Sequence, residues 1–344
     1  MRFCITKRVI RITELVEMHI PDGLMDPVIA LTGWIEFLVV AAVALFLVRT
    51  RVKDKDLPRI AVLSAGVFVA QMLNFPIGGG TTGHLVGGAL MAIMVGPVVA
   101  ILGMTVILLI QGLMFGDGGM TAFGLNAVNM AVIAPLTGWG VYTLIKPIVS
   151  RKDEKPFGPG TAIAVAAGAW ASVFLAAAAC AAELVVSYAI SGGTYGIAAT
   201  VSVPAMLGYH TVIAVGEAII TAGVLAYVWS ISPGVFAREP VATTKAEGLR
   251  GILHLKTTQA TIAVLIAFAL ALPLYFIYSA EGADGLEKTM SDAEVEEGGA
   301  VFSSPFSYGE NYFAALFAGI LGFVVTALAA LGLLRILQGV KAAD

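Results

Sequence analysis

From Ile60 to Ile145 the chain carries one charged side chain, Asp117. A run that apolar leaves few solutions. In a bilayer every backbone polar group must find its partner inside the protein, so only helices or closed barrels cross it. Uninterrupted apolar stretches of about 20 residues read as spanning helices. Such stretches recur near residues 27–48, 60–76, 98–114, 121–145, 161–190, 204–231, 258–279 and 312–337. Charged residues make up only 12% of the chain, against about 25% in soluble domains. The fold class that follows is an all-α polytopic membrane protein with about nine transmembrane helices, placed as a multi-pass protein in the cell (inner, or cytoplasmic) membrane. The net charge of −3 comes with no basic stripe, which excludes a nucleic-acid partner. Two cysteines, Cys4 and Cys180, form neither a disulfide framework nor a CxxC metal pair.

Loop charge sets the topology, because Lys and Arg collect on the cytoplasmic side. Basic residues gather in Arg49–Arg59, Lys146–Lys155 and Arg238–Lys256, and at Arg335 and Lys341. The stretch 84–96, HLVGGALMAIMVG, is short for a crossing and ends at Pro97. Counting 84–114 as two passes broken at Gly96-Pro97 places every basic loop on one side, with the short third pass tucked inside the bundle. The segment before residue 27 and the loops 77–84, 115–120, 191–203 and 280–311 then lie outside, so His19 and His84 share a face. The loop 280–311 holds eight acidic residues and one lysine, Lys288. The basic stretch 232–257 reads as a cytoplasmic linker between a seven-pass core, 18–231, and a two-pass C-terminal module, 258–337. Residues 1–17 place Arg2, Lys7, Arg8 and Arg11 on the outer side and lack the apolar run of a signal peptide. They are read as an extension absent from the mature chain, through a mis-assigned start or processing, with Met18 as the first residue.

With Met18 first, its amine, the backbone nitrogen of His19 and the His19 imidazole can close fused chelate rings on one metal ion. These are three nitrogens in a plane, which one further imidazole completes to a square. Square-planar nitrogen donors suit Ni(II) or Cu(II), whereas Zn(II) prefers a tetrahedron. Pro21 stiffens the following turn and Asp22-Gly23 can fold the terminus back toward the bundle. The candidate fourth donor is His84, in FPIGGGTTGHLVGGAL, where Gly78 to Gly80 permit close backbone approach.

The segments MHIPDGL, GTTGHLVGGAL and QGLMFGDGGMTAFGLNAVNMAVIAP resemble the CbiM/NikM family, the substrate-binding membrane subunit of energy-coupling-factor importers for nickel and cobalt. The resemblance covers about residues 18–230. It implies Ni(II) or Co(II) as transported substrate, held by Met18, His19 and His84, with no other cofactor. It also implies an energy-coupling transmembrane protein and a pair of ATPase subunits as partners within the lipid bilayer. The tail resembles the small companion subunit of the nickel members, which carries Pro-Asp-Gly-Leu-Glu; here the segment reads Ala283-Asp284-Gly285-Leu286-Glu287. A fused companion favours nickel over cobalt.

Other polar residues in the spans have two readings. Glu36, Glu183 and Glu217 are intramembrane carboxylates, and His210 lies seven residues before Glu217 on one helix face. They are either hydrogen-bonding groups between helices or the proton-coupling machinery of a stand-alone secondary metal transporter, the alternative function. Inverted repeats would favour that alternative, and none is visible. Asn126 and Asn129 are candidate donors on the floor of the outer pocket. The small-residue run AAAACAAE at 176–183, with Ser172, is either close internal packing or a sliding surface for a partner subunit. The chain has no GxxxxGK motif followed by Ser or Thr, and no HExxH, so it is read as a non-enzyme whose ATP hydrolysis resides in partner subunits.

Overall fold

The structure, a computed structural model, describes residues 19–49, 51–53, 56–78, 81–151, 157–231, 256–280, 282–296 and 298–339. Residues 1–17, Met18 and most of the linker 232–257 lie outside the described residues.

Eleven α-helices and one β-hairpin are described. Helix α1 spans Pro27–Val48 and α2 spans Leu57–Gln71. The hairpin β1 (Phe75–Gly78) and β2 (Thr81–Gly83) precedes α3 (Gly88–Val95) and α4 (Pro97–Ile110). Helix α4 runs on through a π turn, Gln111–Phe115, and α5 (Phe123–Ala127) joins α6 (Ala134–Val149) through a second, Val128–Ile133. Then come α7 (Pro159–Ile190), α8 (Ala199–Ile231), α9 (Lys256–Tyr278), α10 (Gly285–Asp292) and α11 (Tyr312–Gly339).

Among the described residues seven helices are long and apolar enough to cross a membrane: α1, α4 with its π turn, the α5–α6 rod, α7, α8, α9 and α11. Helices α2 and α3, of 15 and 8 residues, are the shorter members of the bundle. The sequence explains the breaks. Gly96 has φ of 88° and Pro97 starts α4, so α3 and α4 separate where the glycine-proline pair lies. Residues Gly88–Ala92 of α3 are buried, so the short pass is an interior element. The second π turn immediately precedes Pro135 in α6, whose missing N–H and ring disrupt the regular helical ladder. Asp26 caps α1 by accepting the Val28 N–H at 2.8 Å, with Pro27 as the first helical residue.

Two elements depart from the sequence reading. The loop 77–84 is in part a strand, with β1 and β2 antiparallel and Ala283 bridged to Thr81 alongside. Strands of four and three residues are too short to leave a period. The loop 280–311 contains α10, started by a capping box: Asp284 accepts from Leu286 and Glu287 N–H, and Glu287 accepts from Asp284 N–H. The Asp-Gly-Leu-Glu segment is therefore a helix start.

Helices α6, α7 and α8 pack in sequence, and α2 packs against α4, α9 and α11. The largest apolar cluster joins Phe68, Met91, Met104, Ile107, Phe268 and Leu272. A second cluster, at the outer end, joins Ile20, Leu24 and Met25 to Leu184 and Met206 and to Leu286 of α10. The N-terminal turn and the C-terminal module thus share one apolar seat. The small residues of α7, Ala176, Ala177, Cys180 and Ala181, are buried within the chain, and Ser172 donates to Ala134 O at 2.8 Å. These four positions pack internally, while Ala182 of the same run is exposed.

Candidate metal centre

Residues 19–26 fold back onto the bundle as a buried turn. Asn126 of α5 clamps Ile20 from both sides, accepting its N–H at 2.9 Å and donating to its carbonyl at 3.1 Å. Gly119 N–H donates to the same carbonyl at 2.9 Å. A Cβ at Gly118 would come within 2.8 Å of His19 Cβ, and one at Gly119 within 2.2 Å of the Asp22 nitrogen, so only glycines let the turn pass this closely. Asp22 is buried and accepts from Thr121 N–H at 2.7 Å and from Val301 N–H at 2.9 Å. The 116–122 loop and residue 301 therefore hold the turn between them.

His19 is 3% exposed and its Nδ1 lies 2.7 Å from Asp117 Oδ1. Burial raises the Asp117 carboxyl, but the His19 charge and hydrogen bond and the Tyr308 hydroxyl outweigh it and hold the group below its ordinary range. Asp117 is thus an acceptor, and His19 Nδ1 carries the proton. Tyr308, from the segment before α11, donates to Asp117 Oδ2 at 2.8 Å and stacks on Phe115 at 5.2 Å. Phe306 N–H donates to Met114 O at 3.0 Å. The C-terminal module therefore docks on the π turn that leads into Asp117.

His84 follows β2. Its ring centroid lies 5.8 Å from that of His19, at an interplanar angle of 63°. Its Nδ1 donates to Leu85 O at 3.1 Å, leaving Nε2 as the donor that a metal would use. Burial, and after it the neighbouring His19, hold the imidazole below its ordinary value, against the pull of Asp284 and Asp117. Upstream, Thr82 N–H donates to Ala283 O at 2.8 Å and Thr82 Oγ1 to Gly282 O at 2.9 Å.

The structure thus brings together His19 and His84, which are 65 residues apart in the chain. Among the described residues no group of three or more His, Cys, Asp or Glu side chains is arranged to hold a metal ion. With two imidazoles as side-chain donors, a four-coordinate all-nitrogen site would take its other two donors from backbone or terminal nitrogens. A ring through the His19 backbone nitrogen closes only at Nδ1, the atom that Asp117 holds here.

Of the other polar residues of the spans, Glu36 is exposed on α1, while His210, Glu183 and Glu217 have hydrogen-bond partners within the bundle. His210 Nδ1 donates to Met206 O at 2.8 Å, within its own helix. Glu183 accepts from Asn129 Nδ2 at 2.7 Å, and Glu217 accepts from Val86 and Gly87 N–H. Of the two candidate floor residues, Asn126 holds the N-terminal turn and Asn129 pairs with Glu183. Sequence reasoning missed Asp117, Tyr308 and Asp22 as members of the site. The signal for Asp117 was in view, since it is the lone charge from Ile60 to Ile145. A cleft of about 530 Å3, lined by Asp22, Gly118, Met120, Phe302, Ser304 and Phe306, opens beside it.

Comparison with known proteins places the chain in a family. Residues 19–235 match the family described as cobalt uptake substrate-specific transmembrane region, CbiM. A putative metal transport protein of Haloquadratum walsbyi is 39% identical over 219 residues, covering 63% of this chain and 92% of its own. A putative fused nickel transport protein NikMN of Archaeoglobus fulgidus is 34% identical over 312 residues, 90% of this chain and 95% of its own. A crystal structure of a truncated transition metal transporter, 35% identical, superposes with a TM-score of 0.56 over 62% of this chain and 99% of that chain. The chain belongs to the CbiM family: it is a multi-pass membrane component of metal transport whose core continues into a C-terminal module, as in the fused nickel transport proteins.

Proposed function

We propose that this chain is the substrate-binding component of an ATP-driven importer of the energy-coupling-factor type, and that it captures Ni(II) in preference to Co(II) at the outer face of the cell membrane. Residues 18–231 are the metal-binding core, 232–257 the cytoplasmic linker and 258–337 the two-pass companion module. A separate energy-coupling membrane protein and a pair of ATPase subunits complete the importer.

The observation that carries this reading is the approach of His19 and His84 to 5.8 Å between ring centroids, in an outer loop cluster roofed by the C-terminal module. Met18, His19 and His84 supply four nitrogens: a terminal amine, a backbone nitrogen and two imidazoles. Such a planar field favours low-spin Ni(II) and disfavours Zn(II). Capture replaces the Nδ1–H of His19 and the N–H of its backbone with bonds to the metal, the displaced protons passing to water, and Asp117 stays beside the cation as counter-charge, still held by Tyr308. The cleft beside Asp22 and Gly118 is the approach. The stand-alone transporter receives no support from a carboxylate cluster, because Glu183 and Glu217 each have hydrogen-bonding duties to the fold.

The test is reconstitution in liposomes with and without the coupling protein and ATPases. Nickel accumulation should require all of them and ATP, and the purified chain should bind Ni(II) as a yellow diamagnetic complex. Accumulation driven by a proton gradient with this chain alone would sink the reading. Intact mass of the metal-loaded protein tests the terminal amine: tight binding by a chain that retains Met1 excludes it.

A further inference from the structure

Glu217 is the fully buried carboxylate of α8, at 0% exposure. It takes up two backbone donors: Oε2 accepts Val86 N–H at 2.8 Å and Oε1 accepts Gly87 N–H at 2.9 Å. Gly87 is the residue just ahead of α3, so the carboxylate sits where the unsatisfied N–H groups of a helix start carry partial positive charge. From the opposite side α2 sends Gln71, whose Nε2 donates to Val86 O at 2.8 Å. Gln71 Oε1 in turn accepts from Gln111 Nε2 at 3.0 Å, and both amides are at 0% exposure. Three backbone atoms within three residues of His84 are therefore fixed by side chains of two helices, α8 and α2. His84 itself turns Nδ1 onto Leu85 O.

A buried carboxylate is costly unless its oxygens are matched by donors. Here the match is to the backbone of the loop that carries His84. We propose that Glu217 is a positioning residue of the metal site: it locks the Val86-Gly87 backbone so that the Nε2 of His84 faces His19. This rests on the reading of His84 as a metal donor. It assigns the intramembrane carboxylate a static task, distinct from carrying protons or metal across the bilayer. Gln71 performs the same task at the Val86 carbonyl.

Glu217→Gln separates these roles. The amide keeps one acceptor and turns an N–H2 toward the other backbone donor, so the loop loses one hydrogen bond and gains a clash of donors. In the purified full-length chain, Ni(II) affinity read by competition with a chromophoric chelator should fall about tenfold or more, as for other outer-shell partners. Glu217→Asp, with both acceptors and the charge but one methylene less, should fall between the two. On a His84→Ala background Glu217→Gln should cost nothing further, since it acts through His84. Gln71→Met should weaken binding in the same direction and be equally silent on that background, and it serves where Glu217→Gln does not insert. Wild-type affinity with lost uptake in Glu217→Gln is the signature of a proton carrier and overturns the proposal. So does full additivity with His84→Ala. Unchanged affinity in His84→Ala alone would instead remove His84 from the site, and the proposed function would fail first.

Discussion

The two histidines that meet at the outer face are held by different parts of the molecule. His84 is gripped from below: Glu217 of α8 and Gln71 of α2 hold the backbone just after it. His19 is gripped from the side and above, by Asp117 and, through Asp117, by Tyr308 of the C-terminal module. Val301 of the same module reaches Asp22 within the turn that His19 begins. One of the two proposed donors is thus built into the membrane core, while the other lies in a turn clamped by residues far along the chain, Val301 and Tyr308. A rigid donor and a clamped one suit a site that must hold a metal ion and later give it up. The comparison predicts that damage to the module weakens the His19 side and spares the His84 side.

The largest effect should come from ending the chain after residue 257. The core should still fold, because relatives and a solved structure exist that match only about the first two thirds of this chain over nearly their whole length. The face of α2 that α9 and α11 cover would meet lipid instead, at little cost, since lipid tails are as apolar as the side chains they replace. Loss of Tyr308 and Val301 would leave Asp117 and Asp22 without donors they have in the full chain. We expect Ni(II) affinity of the truncated core to drop by about 10–100-fold, the range for outer-shell partners, while helical content is kept. Circular dichroism and chelator competition on the purified core measure both. Unchanged affinity would break the comparison, because His19 would then be held by the core alone.

Tyr308→Phe sharpens the same point at a single atom. In the metal-free protein Asp117 has the His19 Nδ1–H and the Tyr308 hydroxyl as donors. When the metal takes Nδ1, the hydroxyl remains. Burial and Asp117 raise the Tyr308 hydroxyl well above its ordinary range, so it stays a donor at every working pH. Removing it therefore costs the loaded state more than the empty one. A hydrogen bond to a charged group is worth about 1.5–3 kcal/mol, so the loss should reach about tenfold in affinity and appear as faster nickel release in stopped-flow chelation. Tighter binding in Tyr308→Phe would show that Asp117 is mainly a competitor for Nδ1.

The contrast also separates what the chain discloses from what it withholds. The spans, the break at Gly96-Pro97 and the pairing of His19 with His84 could be read because membrane burial writes long apolar runs and leaves few polar residues to choose among. Asp117 was visible as the one charge in 86 residues, from Ile60 to Ile145, yet its partner was not: Tyr308 sits in a polar segment where no periodicity marks a docking residue. The Asp-x-x-Glu capping box at Asp284 and Glu287 was legible as a helix start and passed unread inside a loop defined by its acidity. Glu217 could be read as functional or structural from sequence, and its partners, the backbone N–H groups of Val86 and Gly87, lie 131 and 130 residues away, where no sequence pattern marks them. The amine of Met18 is named by chelate chemistry and by the family resemblance, both of which are legible in the sequence.

The smallest expected effect concerns pH. Burial depresses the His84 imidazole below its ordinary value. The sign follows directly: a lowered value keeps the ring neutral, and able to bind metal, to more acidic pH than a free histidine. An ordinary imidazole at about 6.5 would itself cause about a threefold loss of affinity between pH 7 and pH 6, because protons compete for the donor nitrogen. Proton competition at the remaining donors is common to wild type and His84→Ala and cancels in the comparison. We therefore expect the two proteins to lose affinity between pH 7 and pH 6 by factors that differ by well under threefold, although His84→Ala starts far weaker. Chelator competition at both pH values gives the four affinities required. An extra threefold loss in wild type would mean that His84 titrates as if in water, and that the core holds its donor no more tightly than the module holds His19.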